Sequence, residues 1–235
     1  MLSTFLSLAE KACSEYHVCV EPDTRRCRDA YFGTVGDISS TQELVPHTVE
    51  EGLKRHLPGR IVYVLESPHK DEYVDKELEE VWPIKGKSGE NLRMFSTKII
   101  PDAMNDWGTF VVNAIQYQCS QGLCLERGFN RAAKNYVVGN LLQLKEFRDD
   151  LRDRVRPFFS RKDKTPCMLL NACTSYVACN VGKANKILVN EILAPIDGVR
   201  IFNDITHPSC WKRQQSKSMN TWQSRILEMY SDIRK

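Results

Sequence analysis

Four short apolar runs punctuate the chain: Arg60-Ile-Val-Tyr-Val-Leu65, Thr109-Phe-Val-Val-Asn113, Cys167-Met-Leu-Leu-Asn171 and Val199-Arg-Ile-Phe-Asn203. Runs of this length, rich in branched and aromatic residues and bounded by turn formers, read as buried strands. Between and around them the apolar positions recur at helical spacing. The spacing predicts helices near 2–15 (Leu2, Phe5, Leu6, Leu8 and Ala9 inward), 47–57, across much of 123–151 (Ala132, Val137, Leu141, Leu142, Leu144), 174–192 and 219–233 (Trp222, Ile226, Leu227, Met229, Tyr230). Strands separated by helices need crossover connections, which make neighbouring strands parallel and put helices on the sheet faces. The expected fold is therefore α/β: a three-layer α/β/α sandwich around a four-stranded, mostly parallel sheet. No linker-like break divides the chain, so residues 1–235 are read as a single domain. Residues 17–47 carry the turn signals Pro22-Asp23, Gly33 and Gly36-Asp37 and are expected to form an irregular insertion or lid.

A chain of 235 residues, 42% apolar and 27% charged, is large enough for one ordinary core. No apolar run approaches the roughly 18 residues of a membrane span. The N-terminus lacks a basic region and a long apolar stretch, so it reads as an amphipathic helix rather than a signal peptide. Nine cysteines are an odd set, and Cys167, Cys173, Cys179 and Cys210 fall in or beside the core runs. Buried, reduced thiols of this kind suit a cytoplasmic protein. The net charge of +3 says little, but its distribution says more. Arg25, Arg26 and Arg28 cluster, as do Lys85 and Lys87, while Lys212, Arg213 and Lys217 follow a His-Pro-Ser turn. Loop-borne bases beside a site suit a phosphate backbone.

Polar groups gather where the apolar runs end, which is where open α/β sheets build their sites. Leu65-Glu66-Ser67-Pro68-His69 follows the first run, and Pro68 holds Ser67 extended in a rigid turn. Pro83-Ile-Lys-Gly86-Lys87-Ser88-Gly89 comes next, with two glycines that let backbone N–H groups approach a phosphate. It is not a nucleotide triphosphatase loop, because Val81 stands where that motif needs its first glycine. Asn113 closes the second run, and its amide offers both an acceptor and donors to a pyrimidine edge. Thr206-His207-Pro208-Ser209 closes the fourth, and a histidine there can stabilise charge developing on a departing base.

In this order, over roughly residues 60–213, the segments resemble the uracil-DNA glycosylase superfamily. Glu66 falls on its Glu/Gln position, Ser67 on its Ala/Asp position, Pro68 on its proline and His69 on its Gly/Tyr position. The Gly86–Gly89 run is similar to that of the iron–sulfur members. The resemblance implies catalysis by Glu66, Ser67, Asn113 and His207, and base contacts by Pro68, His69 and Asn113. It implies DNA contacts by Gly86, Lys87, Ser88, Gly89, Ser209, Trp211, Lys212 and Arg213, with Trp211 as a wedge filling the space of a flipped nucleotide. Ser67 replaces the water-activating Asp of the uracil-specific enzymes, so Glu66, Asp71 or Glu72 is left to supply a base, with Glu66 preferred. His69 replaces the aromatic residue that excludes substituents at pyrimidine C5. Cys13, Cys19, Cys27, Cys119 and Cys124 are not spaced as the iron–sulfur members space theirs, so neither cluster, metal nor other cofactor is expected. Lys70 and Lys212 are the Schiff-base alternatives.

What this implies is a monofunctional, monomeric DNA glycosylase that flips a modified pyrimidine and leaves an abasic site. Members of the superfamily also serve antiphage defence, including removal of glucosylated hydroxymethylcytosine. Uracil repair is the alternative substrate, and a non-catalytic nucleic-acid binder on the same fold is the rival from another class. A hydrolase using His207 with Ser209 or a cysteine lacks the Gly-x-Ser-x-Gly elbow.

Overall fold

The computed structural model describes residues 1–16, 23–73, 77, 79–119, 131–160, 163–175, 182–214 and 216–233. Within them the chain runs α1 (Leu2–Tyr16), β1 (Ala30–Thr34), α2 (Val35–Ser40), β2 (His47–Thr48), α3 (Val49–Leu53), β3 (Arg60–Leu65), α4 (Lys87–Ile99) and β4 (Gly108–Asn113). It continues through α5 (Arg131–Leu141), α6 (Lys145–Val155), β5 (Cys167–Asn171), α7 (Asn185–Leu193), β6 (Ile201–Phe202) and α8 (Ser216–Ile233). The protein is α/β, built on a six-stranded mixed sheet in the order β2-β1-β4-β3-β5-β6.

The four runs expected as strands are β3, β4, β5 and β6, and they pair parallel. The expectation of a four-stranded sheet is corrected by β1 and β2, which pair antiparallel at the β4 edge. β1 comes from the stretch expected to be an insertion or lid, and β2 sits at its end, at the start of the helix expected over 47–57. Ala30, Tyr31, Val35 and Ile38 are buried, so the described part of that stretch is built into the sheet and its core rather than lying over it. Residues 17–22 lie outside the described residues. The helix expected over 47–57 shrinks to α3, started by a capping box in which Thr48 and Glu51 satisfy one another's backbone N–H groups. The long helical stretch breaks into α5 and α6 around Leu144, which is the N-cap of α6, and residues 120–130 before it lie outside the described residues. The helix expected over 174–192 is described from Asn185 as α7.

Side chains of β3 alternate between two cores. Ile61, Tyr63 and Leu65 pack with Leu92 of α4 and with Trp222 and Ile226 of α8. Val62 and Val64 pack with Phe5 of α1, Val137 of α5, Leu151 of α6 and Val189 of α7. Helices therefore cover both faces, which is why the parallel strands are apolar along their whole length rather than alternating. Each such aliphatic side chain contributes roughly 1.5–3 kcal/mol on burial. Among the described residues no helix is long and apolar enough to cross a membrane.

The register positions the site. Leu65 of β3 stands opposite Asn113 of β4, and Val64 stands opposite Asn171 of β5. The three strands end level, and the chain leaving β3 lies between those leaving its two neighbours. The backbone N–H groups of Ala114 and Ile115 donate to the carbonyls of Leu65 and Glu66, so the pairing carries on past the strand ends.

Candidate active site

A cleft of about 670 Å³ opens at this carboxyl edge. Its lining brings together Glu66, Ser67, His69, Lys87, Ser88, Asn113, His207, Ser209 and Arg213 of the residues expected from sequence. It also holds Asp71 and Glu72, the alternative bases, and Lys85 of the basic cluster, and adds Lys134, Thr174 and Cys210.

Asn113 is buried at the end of β4. Its Nδ2 donates to the Cys27 Sγ at 3.5 Å, and its Oδ1 is buried with no partner among the described residues. The Ser67 Oγ, on the turn after β3, is buried with the Cys119 thiol beside it. Buried polar atoms are nearly always hydrogen-bonded, so the orphaned Asn113 Oδ1 marks a place for a ligand or an ordered water. Behind β4, Arg154 donates to both carboxylate oxygens of Asp29 at 2.9 Å and to the Ala114 carbonyl at 3.3 Å. Arg154 thereby braces the strand end that carries Asn113.

His207 precedes a turn of 3₁₀ helix over Pro208–Arg213 and serves as its N-cap. Its Nδ1 accepts the Ser209 N–H at 3.3 Å and lies 2.9 Å from the Ser209 Oγ. With Nδ1 an acceptor, the ring proton sits on Nε2 and is the histidine's donor. Burial pushes the pKa down to about 4, against the opposing pull of Glu66, so the imidazole is neutral at physiological pH. The loop is held from two sides. The buried Asn91 of α4 donates to the Pro208 carbonyl at 2.8 Å, and Lys186 donates to the carbonyls of Asn203 and Ile205 at 2.9 and 2.6 Å. A titration of the His207 ring carbon by NMR is expected to show no change between pH 5.5 and 8 and a midpoint near 4. A midpoint near the ordinary histidine value of about 6.5 would contradict the neutral, pre-set donor.

Glu66 departs from its expected role. Its Oε2 accepts from the Thr174 hydroxyl at 2.6 Å and pairs with Lys134 Nζ at 3.0 Å, and its Oε1 accepts from the Asn185 amide. Burial alone would raise its pKa, but Lys134 and the hydrogen bonds from Thr174, Lys134 and Asn185 outweigh it and hold the carboxyl below its usual range. An ionised carboxylate with both oxygens occupied is a poor proton acceptor. Glu66 ties the β3 turn to α5, to Thr174 and to α7, and so fixes where Ser67 points. Sequence reasoning missed Lys134, Thr174 and Asn185, because only the folded chain brings them to Glu66.

Glu72, one of the two alternatives to Glu66, is the opposite case. It is 6% exposed, and burial pushes its pKa up to about 8 although the backbone N–H groups of His69 and Ile84 donate to it. His69 itself accepts the Asp71 N–H on its Nδ1 at 3.3 Å.

The Gly86–Gly89 run starts α4 and faces the cleft. Gly86 is the N-cap with φ +66°, and a Cβ there would meet the Asp71 carboxylate at 2.7 Å. A Cβ on Gly89 would lie 2.0 Å from the Ile84 carbonyl oxygen, so only glycine permits this approach. Lys85 and Lys87 stand exposed on the rim, as does Arg213. Lys212 is exposed but does not line the cleft, and Pro68 is buried behind the turn. Trp211 corrects the expectation of a wedge. It is fully buried, packs on Tyr63 with ring centroids 6.1 Å apart, and donates from Nε1 to the Thr206 carbonyl at 2.8 Å. An apolar ring four residues after His207 suits a wedge or a core by its type, and here the second sheet face claims it.

Burial raises the pKa of Cys27, Cys119 and Cys173, so none of the three is a ready thiolate. Among the described residues no group of three His, Cys, Asp or Glu side chains is placed to hold a metal ion. Cys19, Cys124 and Cys179 lie outside the described residues, and so do the side chains of Lys70 and Lys217. No family model, no curated protein and no solved structure matches the chain.

Proposed function

We propose that this chain is a monofunctional DNA glycosylase that flips a modified pyrimidine into the cleft, hydrolyses its N-glycosidic bond and leaves an abasic site. The observation that carries the reading is the pairing of a neutral His207, protonated on Nε2, with the unpartnered Asn113 Oδ1 on one cleft at the carboxyl edge of parallel strands. Breaking the bond to a base leaves negative charge on the base. His207 Nε2–H stabilises that charge as it forms, without first having to lose a proton. Asn113 Oδ1 accepts from a donor on the base edge. The Ser67 Oγ holds the attacking water, and Glu66 keeps the Ser67 turn in place. The parallel β3–β6 core with helices on both faces supports a glycosylase-like sandwich, to which β1 and β2 are added.

The basic rim of Lys85, Lys87 and Arg213 beside the start of α4 suits the phosphates flanking a flipped nucleotide. The cleft, at about 670 Å³, lies within the range of about 300–1,000 Å³ usual for small-ligand sites. That volume leaves space beside a pyrimidine for a bulky C5 group. With His69 where an aromatic wall would stand, we assign the target as glucosylated hydroxymethylcytosine, in defence against phage DNA, ahead of plain uracil.

The test is a panel of plain, uracil-containing, hydroxymethylated and glucosyl-hydroxymethylated DNAs, treated with alkali after incubation with the protein. Breaks in the glucosylated DNA alone are expected, whereas breaks in uracil DNA alone would make it a repair enzyme. Asn113→Ala is expected to lower the rate on the chosen DNA by roughly 10–100-fold, the scale of one or two lost hydrogen bonds, and to narrow its preference over the others. Unchanged excision by that variant would remove Asn113 from base reading.

A further inference from the structure

Glu72 is a buried carboxyl on the cleft that the mechanism above does not use. Among the described residues no cation is a main influence on it, and the charged side chain that is, Asp71, like burial disfavours a second negative charge. Its Oε2 accepts the His69 N–H, and the Ile84 N–H also donates to the carboxyl. Ile84 makes that contact from φ +56°, a conformation that branched side chains rarely adopt. The strained backbone therefore helps aim this one side chain. Glu72 and Asn113 both line the cleft, and Cys27, which takes the Asn113 amide hydrogen bond at 3.5 Å, is itself influenced by the Glu72 charge.

We propose that Glu72 works as an uncharged carboxylic acid whose O–H donates to an acceptor atom on the flipped base, while Asn113 Oδ1 accepts from the donor beside it. The inference rests on the glycosylase reading and adds to it a second base-reading residue. One donor and one acceptor side by side match a pyrimidine edge with an adjoining acceptor and donor, the N3 and N4 amino group of a cytosine or the O4 and N3–H of a uracil. An ionised Glu72 would offer acceptors only and would face the base's own acceptor with a full negative charge. The raised pKa, which keeps the proton on at neutral pH, agrees with the geometry. Among the described residues, the other titratable groups near Glu72 are His69 and Asp71 on its own turn, Tyr73 beside it and the Cys27 thiol before β1, with Lys85, Lys134 and His207 also on the cleft.

The experiment compares wild type, Glu72→Gln and Glu72→Ala in single-turnover excision from pH 6 to 9.5, on whichever of the cytosine-type or uracil-type DNAs wild type cleaves. Gln is a neutral isostere with a donor and an acceptor, so Glu72→Gln is expected to stay within a few fold of wild type at pH 7. Glu72→Ala is expected to lose roughly 10–100-fold, the scale of one buried hydrogen bond removed. Wild-type activity is expected to fall above about pH 8, and Glu72→Gln to lack that fall. Carbon-13 labelling of the glutamate carboxyls reads the same group without any DNA, and one carboxyl is expected to titrate near pH 8. If Glu72→Gln is as inactive as Glu72→Ala while wild type is active, the side chain acts as an ionised base and the inference is overturned. A carboxyl titrating only in the ordinary range near 4 overturns it as well. Wild type that excises nothing from any DNA overturns the glycosylase reading, and the base contact falls with it.

Discussion

Replacing His207 with alanine is expected to slow base release by roughly two to three orders of magnitude, the cost of removing one preorganised donor from a site of developing charge. The effect should fall on the chemical step. The bond from Nε2 is weak to a neutral base and strengthens as the base departs with a negative charge, so it stabilises the transition state more than the bound substrate. DNA affinity should therefore change only a few fold while the single-turnover rate collapses. The imidazole's other nitrogen makes the fold local: Nδ1 accepts the Ser209 N–H and caps the 3₁₀ turn that follows. Losing such a cap costs about 0.5–2 kcal/mol, so the variant should still fold. Ser209→Ala keeps the backbone donor and the ring, and should be milder. A His207→Ala rate equal to wild type would remove the assignment.

The second large effect is on stability. Lys134→Met is expected to destabilise the protein by about 3–5 kcal/mol at pH 7, because it leaves the Glu66 carboxylate buried without its cation. Glu66 is 3% exposed, so water cannot replace what Lys134 supplied. The loss should carry a pH signature. The folded-state pKa of Glu66 is lowered, so its stabilisation is present above the unfolded carboxylate pKa and is lost as pH falls through the folded value. The gap between wild type and Lys134→Met should accordingly close as the pH approaches the acid range. Adding Glu66→Gln to Lys134→Met should recover most of the stability, since replacing both members of a buried pair is often nearly neutral. Urea unfolding at pH 7 and at about pH 3, below the ordinary carboxylate range, measures both effects. A single-variant cost under about 1 kcal/mol at pH 7 would mean that the pair does not anchor the β3 turn.

The two predictions separate what the sequence makes legible from what it hides. The strands β3, β4 and β5 are readable because each is buried on both faces, so the chain writes them as continuous apolar runs. Their parallel sense follows from the helices between them. The site residues are readable for the same reason: Asn113 ends β4, and Ser67 and His207 follow β3 and β6 within a few residues. β1 was hidden because it is a strand of only five residues, interrupted by Gly33 and flanked by charges, which locally resembles a loop. Only its pairing with β4 makes it a strand. Roles that depend on tertiary partners were also hidden. Glu66 and Glu72 are the same residue type six positions apart, and both are buried. Lys134 from α5 keeps one ionised, while among the described residues no cation offsets burial at the other. Trp211 was misplaced because its residue type suits a wedge and a core equally well, and the facing Tyr63 decides between them.

The most direct measurement of the central claim is mass spectrometry of what the protein releases from glucosyl-hydroxymethylated duplex DNA. The predicted result is the free modified base in the supernatant, with an equal number of abasic sites in the intact strands. No free base from this or any other DNA of the panel, with the DNA still bound, would contradict catalysis and leave a nucleic-acid binder on this fold.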